Sequence, residues 1–222
     1  MTGSIRRRAL RRLPRTASLR DALGGRLPAA GSRIGVLGGS FNPAHEAHLQ
    51  ISRAALRRLN LNAVWWLVSP QNPLKGTEGM ASLAQRLKKA QKIAAADPIL
   101  VSDIEALFAT RYSVDSCQTL VQSFPKVHFV WIMGADNLIQ VDQWSRWQDL
   151  FNTLPVAIFD RPTYSLGAVA SKAARRFEDS RVSEPAVRSL VWREPPAWAF
   201  LRDRLNPMSA TQIRADEVSG EG

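Results

Sequence analysis

The sequence predicts an α/β protein built on one doubly wound parallel sheet with helices on both faces. Three observations predict it. Short apolar runs alternate along the chain with longer segments of helical periodicity, the order that strand–helix–strand units impose. One of those runs, Ala63–Val68, is apolar throughout rather than at every second residue, as in a strand covered on both faces. Finally, 222 residues, 45% of them hydrophobic and only one a cysteine, suit one sizeable domain that needs neither disulfides nor a structural metal.

Residues 1–33 differ from the rest. They hold nine arginines against Asp21, a net +8 of the chain's +11, so the remaining body carries only +3. Such a stretch is most simply a disordered basic extension, with Ala17–Leu23 able to form a short helix. It can be read as a contact for nucleic acid or another acidic surface, as an organelle transit peptide, or as the product of a start codon set too far upstream. No apolar core follows the arginines, as a secretory signal would require.

Residues 34–222 read as one domain. Ile34–Leu37 is the first strand, ending in Gly38-Gly39, and Ala47–Leu59 follows as a helix with Leu49, Ile51, Ala55, Leu56 and Leu59 at helical spacing. After the strand Ala63–Val68 comes a polar loop, Ser69–Met80. Ser82 then opens the helix Leu83–Ala96, which Pro98 stops. Ile99–Ile104 is the next strand, Ser113–Phe124 a helix closed by Pro125, and Val127–Met133 a strong strand. A helical region with Trp144 and Trp147 leads to the strand Val156–Phe159, then to a helix near Ala168–Phe177. Ala199–Leu201 is a last strand, before a helix beginning at Ser209. No stretch approaches the roughly 18 apolar residues of a membrane span, and the lone Cys117 fits a reducing, cytoplasmic setting.

Ligands of such folds sit beyond the carboxyl ends of the strands. The loop after the first strand reads Gly38-Gly39-Ser40-Phe41-Asn42-Pro43-Ala44-His45-Glu46-Ala47-His48. It matches neither the G-x-G-x-x-G spacing of a dinucleotide fingerprint nor the Gly-Lys-Ser/Thr of a phosphate-cradling loop. It offers small residues that admit a phosphate, the Ser40 hydroxyl, and two histidines on one face of an opening helical turn. At a helix N-terminus those donors suit an anion in which negative charge develops. His45 and His48 as metal ligands lack a third or fourth partner at suitable spacing, so no protein metal site is expected. Near the C-terminus, Ser209, Thr211 and Arg214 place two hydroxyls and a guanidinium around a second helix start, which suits a polyphosphate.

Together, the first loop and Ser209-Ala210-Thr211-Gln212-Ile213-Arg214 resemble the nucleotidylyltransferases that carry an HxGH motif and a C-terminal S-x-T-x-x-R motif. Within them the chain is similar to the bacterial nicotinate-nucleotide adenylyltransferases, through Val64 to Lys75, Thr110-Arg111-Tyr112-Ser113, Gly134 to Leu138 with Trp144, and Phe159-Asp160-Arg161-Pro162. The resemblance covers residues 34 to about 214 and none of the tail. It implies a Rossmann-like fold and the reaction of nicotinate mononucleotide with ATP and Mg²⁺, giving nicotinate adenine dinucleotide and pyrophosphate by direct attack on the α-phosphorus. By position in the motifs, His45, His48 and Arg214 would be catalytic. Gly39, Ser40 and Phe41 (by its backbone), with Ser209 and Thr211, would complete the ATP site. Lys75, Tyr112, Ser113, Asp136 and Trp144 would receive the mononucleotide, Asp136 at a ribose and Trp144 stacked on the pyridine ring. Arg161 is a further phosphate candidate.

Three departures from the family pattern stand out: Ala47 for the motif glycine, Ala44 for a proline, and Ser145 for a tyrosine that often follows the stacking tryptophan. A nicotinamide-preferring enzyme and pantetheine-phosphate adenylyltransferase are the enzymatic alternatives. A nucleic-acid binder acting through the arginine tail is the alternative from another class, although the body shows no basic stripe with interleaved aromatics and no specific nucleic acid is expected. The reading leaves a homo-oligomer open.

Overall fold

The computed structural model describes residues 13–70, 80–161 and 164–202, and within them seven strands form one sheet. The strands are β1 (Arg33–Gly39), β2 (Ala63–Val68), β3 (Ile99–Ser102), β4 (His128–Gly134), β5 (Val156–Phe159), β6 (Arg181–Val182) and β7 (Trp198–Leu201). Every pairing is parallel, and the spatial order is β3-β2-β1-β4-β5-β7-β6. The helices are α1 (Thr16–Ala22), α2 (Glu46–Arg58), α3 (Leu83–Ala94), α4 (Ile104–Phe108), α5 (Ser113–Ser123), α6 (Ala135–Gln140), α7 (Trp147–Thr153), α8 (Ser165–Val169) and α9 (Lys172–Arg176), with a 3₁₀ segment over Glu184–Trp192.

The predicted doubly wound sheet follows from how each strand divides its side chains. Along β4, Phe129, Trp131 and Met133 enter one apolar layer with α1, α4, α5, α6, α7 and α9. Val130 and Ile132 enter the other, with α2, α3 and the 3₁₀ segment. Both faces are dry, which is why β2 and β5 are apolar at every position.

Local chemistry sets the boundaries. Ser82 caps α3 through a reciprocal pair: its hydroxyl accepts from the Gln85 N–H at 3.3 Å, and its own N–H donates to Gln85 Oε1 at 3.0 Å. The strand expected to run to Ile104 ends at Ser102, because the Ser102 hydroxyl accepts the Ile104 N–H at 3.1 Å and turns the chain into α4. The helix expected over Ala168–Phe177 is two helices, since the Ser171 hydroxyl accepts from the Ala174 N–H and starts α9 afresh. The two-residue β6 and the 3₁₀ segment are absent from the sequence reading.

Within the basic extension, the short helix read over Ala17–Leu23 is α1, and it packs on the body. Leu19 and Leu23 are 5% and 3% exposed within the apolar layer, and the Ser102 hydroxyl donates to the Ala22 carbonyl at 2.7 Å. The arginines mask this in the composition. Only one face of α1 is apolar, and that face is the buried one.

Truncating a buried leucine costs on the order of 2–4 kcal/mol. Leu23→Ala should therefore lower Tm by several degrees, measured by differential scanning calorimetry, whereas a solvated extension would leave it unchanged.

Candidate active site

Strand order reverses at β1, whose neighbours are β2 on one side and β4 on the other. The crevice beyond the carboxyl ends of β1 and β4 is therefore the place where a doubly wound sheet receives a ligand. The loop from Gly39 to His48 opens there, and Asp136 lies just past the end of β4.

The two glycines of that loop have different reasons. A Cβ at Gly38 would lie 2.5 Å from Cη2 of Trp131, so this glycine makes room for the β4 indole rather than for phosphate. A Cβ at Gly39 would meet only the Phe41 ring, at 3.5 Å, so packing makes no such demand there and its open side remains for a ligand. Phe41 is 1% exposed, with its ring stacked on Trp66 at 5.0 Å and 4.7 Å from the His48 ring. Its backbone is left-handed, at φ 46°. That conformation costs a non-glycine residue about 1–2 kcal/mol, and burial of the ring offsets it. Phe41 thus offers a ligand its backbone and not its side chain.

His45 is the N-cap of α2 and His48 its third residue, with ring centroids 3.9 Å apart and planes inclined at 44°. The His45 N–H donates to Nδ1 of His48 at 3.3 Å, so the neutral His48 ring carries its proton on Nε2 and presents a donor. The helix start is braced from below: Trp66 Nε1 donates to Ser52 Oγ at 2.8 Å, and Ser52 Oγ donates to the His48 carbonyl at 2.8 Å. Ala47 is an ordinary residue of the first helical turn, 4% exposed, where alanine favours the helix more than glycine does.

Three other loops end at the same crevice. Ser69 and Pro70 follow β2, and Arg86 of α3, 2% exposed, donates to the carbonyls of Ser40, Ser69, Pro70 and Ala81 at 2.6–3.1 Å. Beyond β3, buried Glu105 accepts from the Ser116 hydroxyl at 2.7 Å and from the Ser69 side chain, while Thr110 bonds Ser116 at 2.8 Å. This cluster fixes the turn into α5, at whose start Tyr112 is 37% exposed and Ser113 half-buried. Beyond β4, Asp136 Oδ2 lies 3.4 Å from Nη1 of Arg161, and Oδ1 is buried without a hydrogen bond among the described residues. Gly134 has no room for a Cβ, because Asp136 Oδ1 and Arg161 Nε occupy that space. Trp144 is half-buried at the end of a 3₁₀ turn, whereas Trp147 is packed edge-on against Phe151 and Phe177.

Lys75, Ser209, Thr211 and Arg214 lie outside the described residues. His128 sits at the opposite end of the strands, with its ring 4.4 Å from Trp192, and Cys117 is buried in the core. The reading from sequence missed Arg86, Glu105 and the bracing role of Trp66. A buried arginine on an amphipathic helix looks like any solvated one, and only the unbroken apolar run around Trp66 hints that its indole N–H needs a partner inside. Among the described residues no group of three or more His, Cys, Asp and Glu could hold a metal ion. The arrangement suits an anionic ligand held by imidazole and backbone donors.

Comparison with known proteins bears on what that anion is. Residues 36–216 match the family model described as Cytidylyltransferase-like. A protein of Parvibaculum lavamentivorans is 50% identical over 184 residues, which is 83% of this chain and 92% of that one. A protein of Methylorubrum extorquens is 45% identical over 182 residues, 82% of this chain and 98% of that one. Both bear the name "Probable nicotinate-nucleotide adenylyltransferase". Among solved structures, Plasmodium falciparum nicotinic acid mononucleotide adenylyltransferase complexed with NaAD shares the fold at a TM-score of 0.61 and 15% identity, over 83% of each chain.

Burial pushes the Glu105 carboxyl above the ordinary carboxylate range, against the lowering effect of its two hydroxyl donors. The fold therefore favours the protonated form. That contribution to stability is complete in acid and is lost as pH rises through the folded-state value. Glu105→Gln should gain in Tm relative to the wild type as pH is raised from about 5 to about 8. A difference that stays constant over that range would show that Glu105 does not titrate in this way.

Proposed function

The chain belongs to the cytidylyltransferase-like family, and on that premise we propose that it transfers the adenylyl group of ATP to nicotinate mononucleotide, releasing pyrophosphate. The observation that carries this reading is the pair of imidazoles at the head of α2, set at the reversal of strand order in a chain similar over most of its length to proteins of that name.

In this reading a phosphate oxygen of the mononucleotide attacks the α-phosphorus of ATP. The bond from that phosphorus to the bridging oxygen breaks, and pyrophosphate leaves with the electron pair. No covalent enzyme intermediate is needed, so the protein contributes position and charge stabilisation. His45 and His48 hold the ATP phosphates, with the His48 ring oriented by the bond that its Nδ1 accepts from the His45 N–H. Gly39, Ser40 and the Phe41 backbone line the same phosphates, and Ser209, Thr211 and Arg214 retain the departing pyrophosphate. Asp136 receives a ribose, a role supported by its buried Oδ1, which has no hydrogen bond within the described residues. Trp144, Tyr112 and Ser113 receive the pyridine ring and its carboxylate, with Lys75 as a further phosphate contact.

Adenylyl transfer from ATP generally uses a divalent cation. We assign that cation as Mg²⁺, which would come with the ATP and would offset the charge of its phosphates. Among the described residues no helix is long and apolar enough to cross a membrane, and we place the enzyme in the cytoplasm.

Pyrophosphate release from ATP and Mg²⁺ tests the reading, with nicotinate mononucleotide, nicotinamide mononucleotide and phosphopantetheine offered in parallel. Turnover is expected with the nicotinate substrate, and His48→Ala should lower kcat by about a hundredfold or more. Turnover with phosphopantetheine alone would overturn the assignments of Trp144, Tyr112, Ser113 and Asp136.

A further inference from the structure

Arg86 is the most buried charged side chain of the described residues, and among them no carboxylate is paired with it. Its guanidinium is satisfied entirely by backbone: Nε by Ala81, Nη1 by Ser40 and Ser69, Nη2 by Pro70. These carbonyls come from three separate segments, namely the loop after β1, the loop after β2 and the entry to α3. A second tie joins the first and third, since the Ala81 N–H donates to Asn42 Oδ1 at 3.2 Å. Burying a cation without a counter-ion is costly, and α3 could pack on the sheet through an aliphatic residue at this position. What an aliphatic residue could not do is hold four carbonyls in one plane.

The Ser40 carbonyl is the informative one. The peptide bond from Ser40 to Phe41 is trans, so its N–H points opposite to its carbonyl. Arg86 holds the carbonyl at 2.6 Å, and the Phe41 N–H on the same trans peptide therefore points away from the guanidinium. A carbonyl bonded to a guanidinium also polarises its own peptide, making that N–H a stronger donor.

We propose that Arg86 is a positioning residue for adenylyl transfer: by clamping the Ser40, Ser69 and Pro70 carbonyls it sets the spacing of the β1 and β2 loops and aims the Phe41 N–H at the ATP phosphates. This rests on the function proposed above. Arg86 touches no substrate in this scheme and acts only through backbone. Lysine cannot substitute for it, because an ammonium lacks the planar fork that reaches all four oxygens.

The experiment uses the full chain and the variants Arg86→Lys, Arg86→Met and Gln85→Ala. The last weakens the cap of α3 without touching any carbonyl that Arg86 holds. Initial rates are measured while ATP and nicotinate mononucleotide are varied separately, and Tm is measured for each protein. Arg86→Lys should lower kcat by about tenfold and Arg86→Met by about a hundredfold, the scale of a 1 Å misplacement of reacting groups, with KM for the mononucleotide changed by less than about threefold. Gln85→Ala should lower Tm and leave kcat near the wild-type value. A folded Arg86→Lys protein with wild-type kcat would overturn the proposal, as would kcat losses in Gln85→Ala equal to those of the Arg86 variants at equal Tm.

Should the Arg86 variants fail to fold, the wild-type protein decides. Adding inorganic pyrophosphate should move the Phe41 amide proton downfield in the ¹⁵N–¹H spectrum, and an unmoved resonance would overturn the orientation argued here. Wild-type turnover with nicotinate mononucleotide is read in the same assay. Its absence would defeat the function and leave the amide measurement standing as a separate result.

Discussion

The seam between β1 and β4 is the constraint on which the rest of the molecule depends. Parallel register sets Val36 against Trp131 and Leu37 against Ile132, and this brings the Trp131 indole over the end of β1. Only a residue without a side chain fits beneath it, and Gly38 supplies that. Because β1 is paired on both sides, its carboxyl end cannot drift. The loop that follows inherits a fixed origin, as does Asp136 one strand away. A doubly wound sheet has its ligand crevice at such a reversal, and here that reversal is fixed by the packing of Trp131 on Gly38.

Above that seam the candidate site rests on a layer of buried side chains. Trp66 braces Phe41 from below and, through Ser52, the carbonyl of His48. Phe41 stores a left-handed backbone that its buried ring keeps in place. Arg86 gathers carbonyls that would otherwise face an apolar interior unpaired, and Glu105 ties the β2 loop to α5 through hydroxyls. For a reaction in which the protein forms no bond to substrate, this is where catalytic accuracy has to be stored.

Much of the fold was legible because the strands are buried on both faces. Ala63–Val68 and Val156–Phe159 are observed with the bounds read from the chain, since no polar alternation blurs a fully covered strand. The loop with His45 and His48 was legible because its motif follows the first strand directly and opens a helix with clear apolar periodicity. What was hidden is polar chemistry turned inward. Nothing in the letters separates Arg86 from Lys88 or Lys89 on the same helix, yet one is buried and the others are not. The short helix α1 was legible over Ala17–Leu23, but the arginines around Leu19 and Leu23 hid its packing into the core. Gly38 was credited to phosphate approach when its partner is a tryptophan nearly a hundred residues away, a contact that only tertiary structure reveals.

The two borders of the sheet are guarded in different ways. On one side β6 is only two residues long, and the Arg181 guanidinium lies 5.1 Å over the Trp198 ring, so little backbone is offered there for pairing. On the other side β3 is longer, four residues, and one tie reaches it from α1, the Ser102 hydroxyl donating to the Ala22 carbonyl at 2.7 Å. The arginine-rich segment therefore leads into a helix anchored at an edge strand. A chain begun at residue 34 would keep the loop of His45 and His48 and yet lose that anchor, together with the apolar surface that Leu19 and Leu23 cover, trading a solvated flank for a bared patch open to self-association.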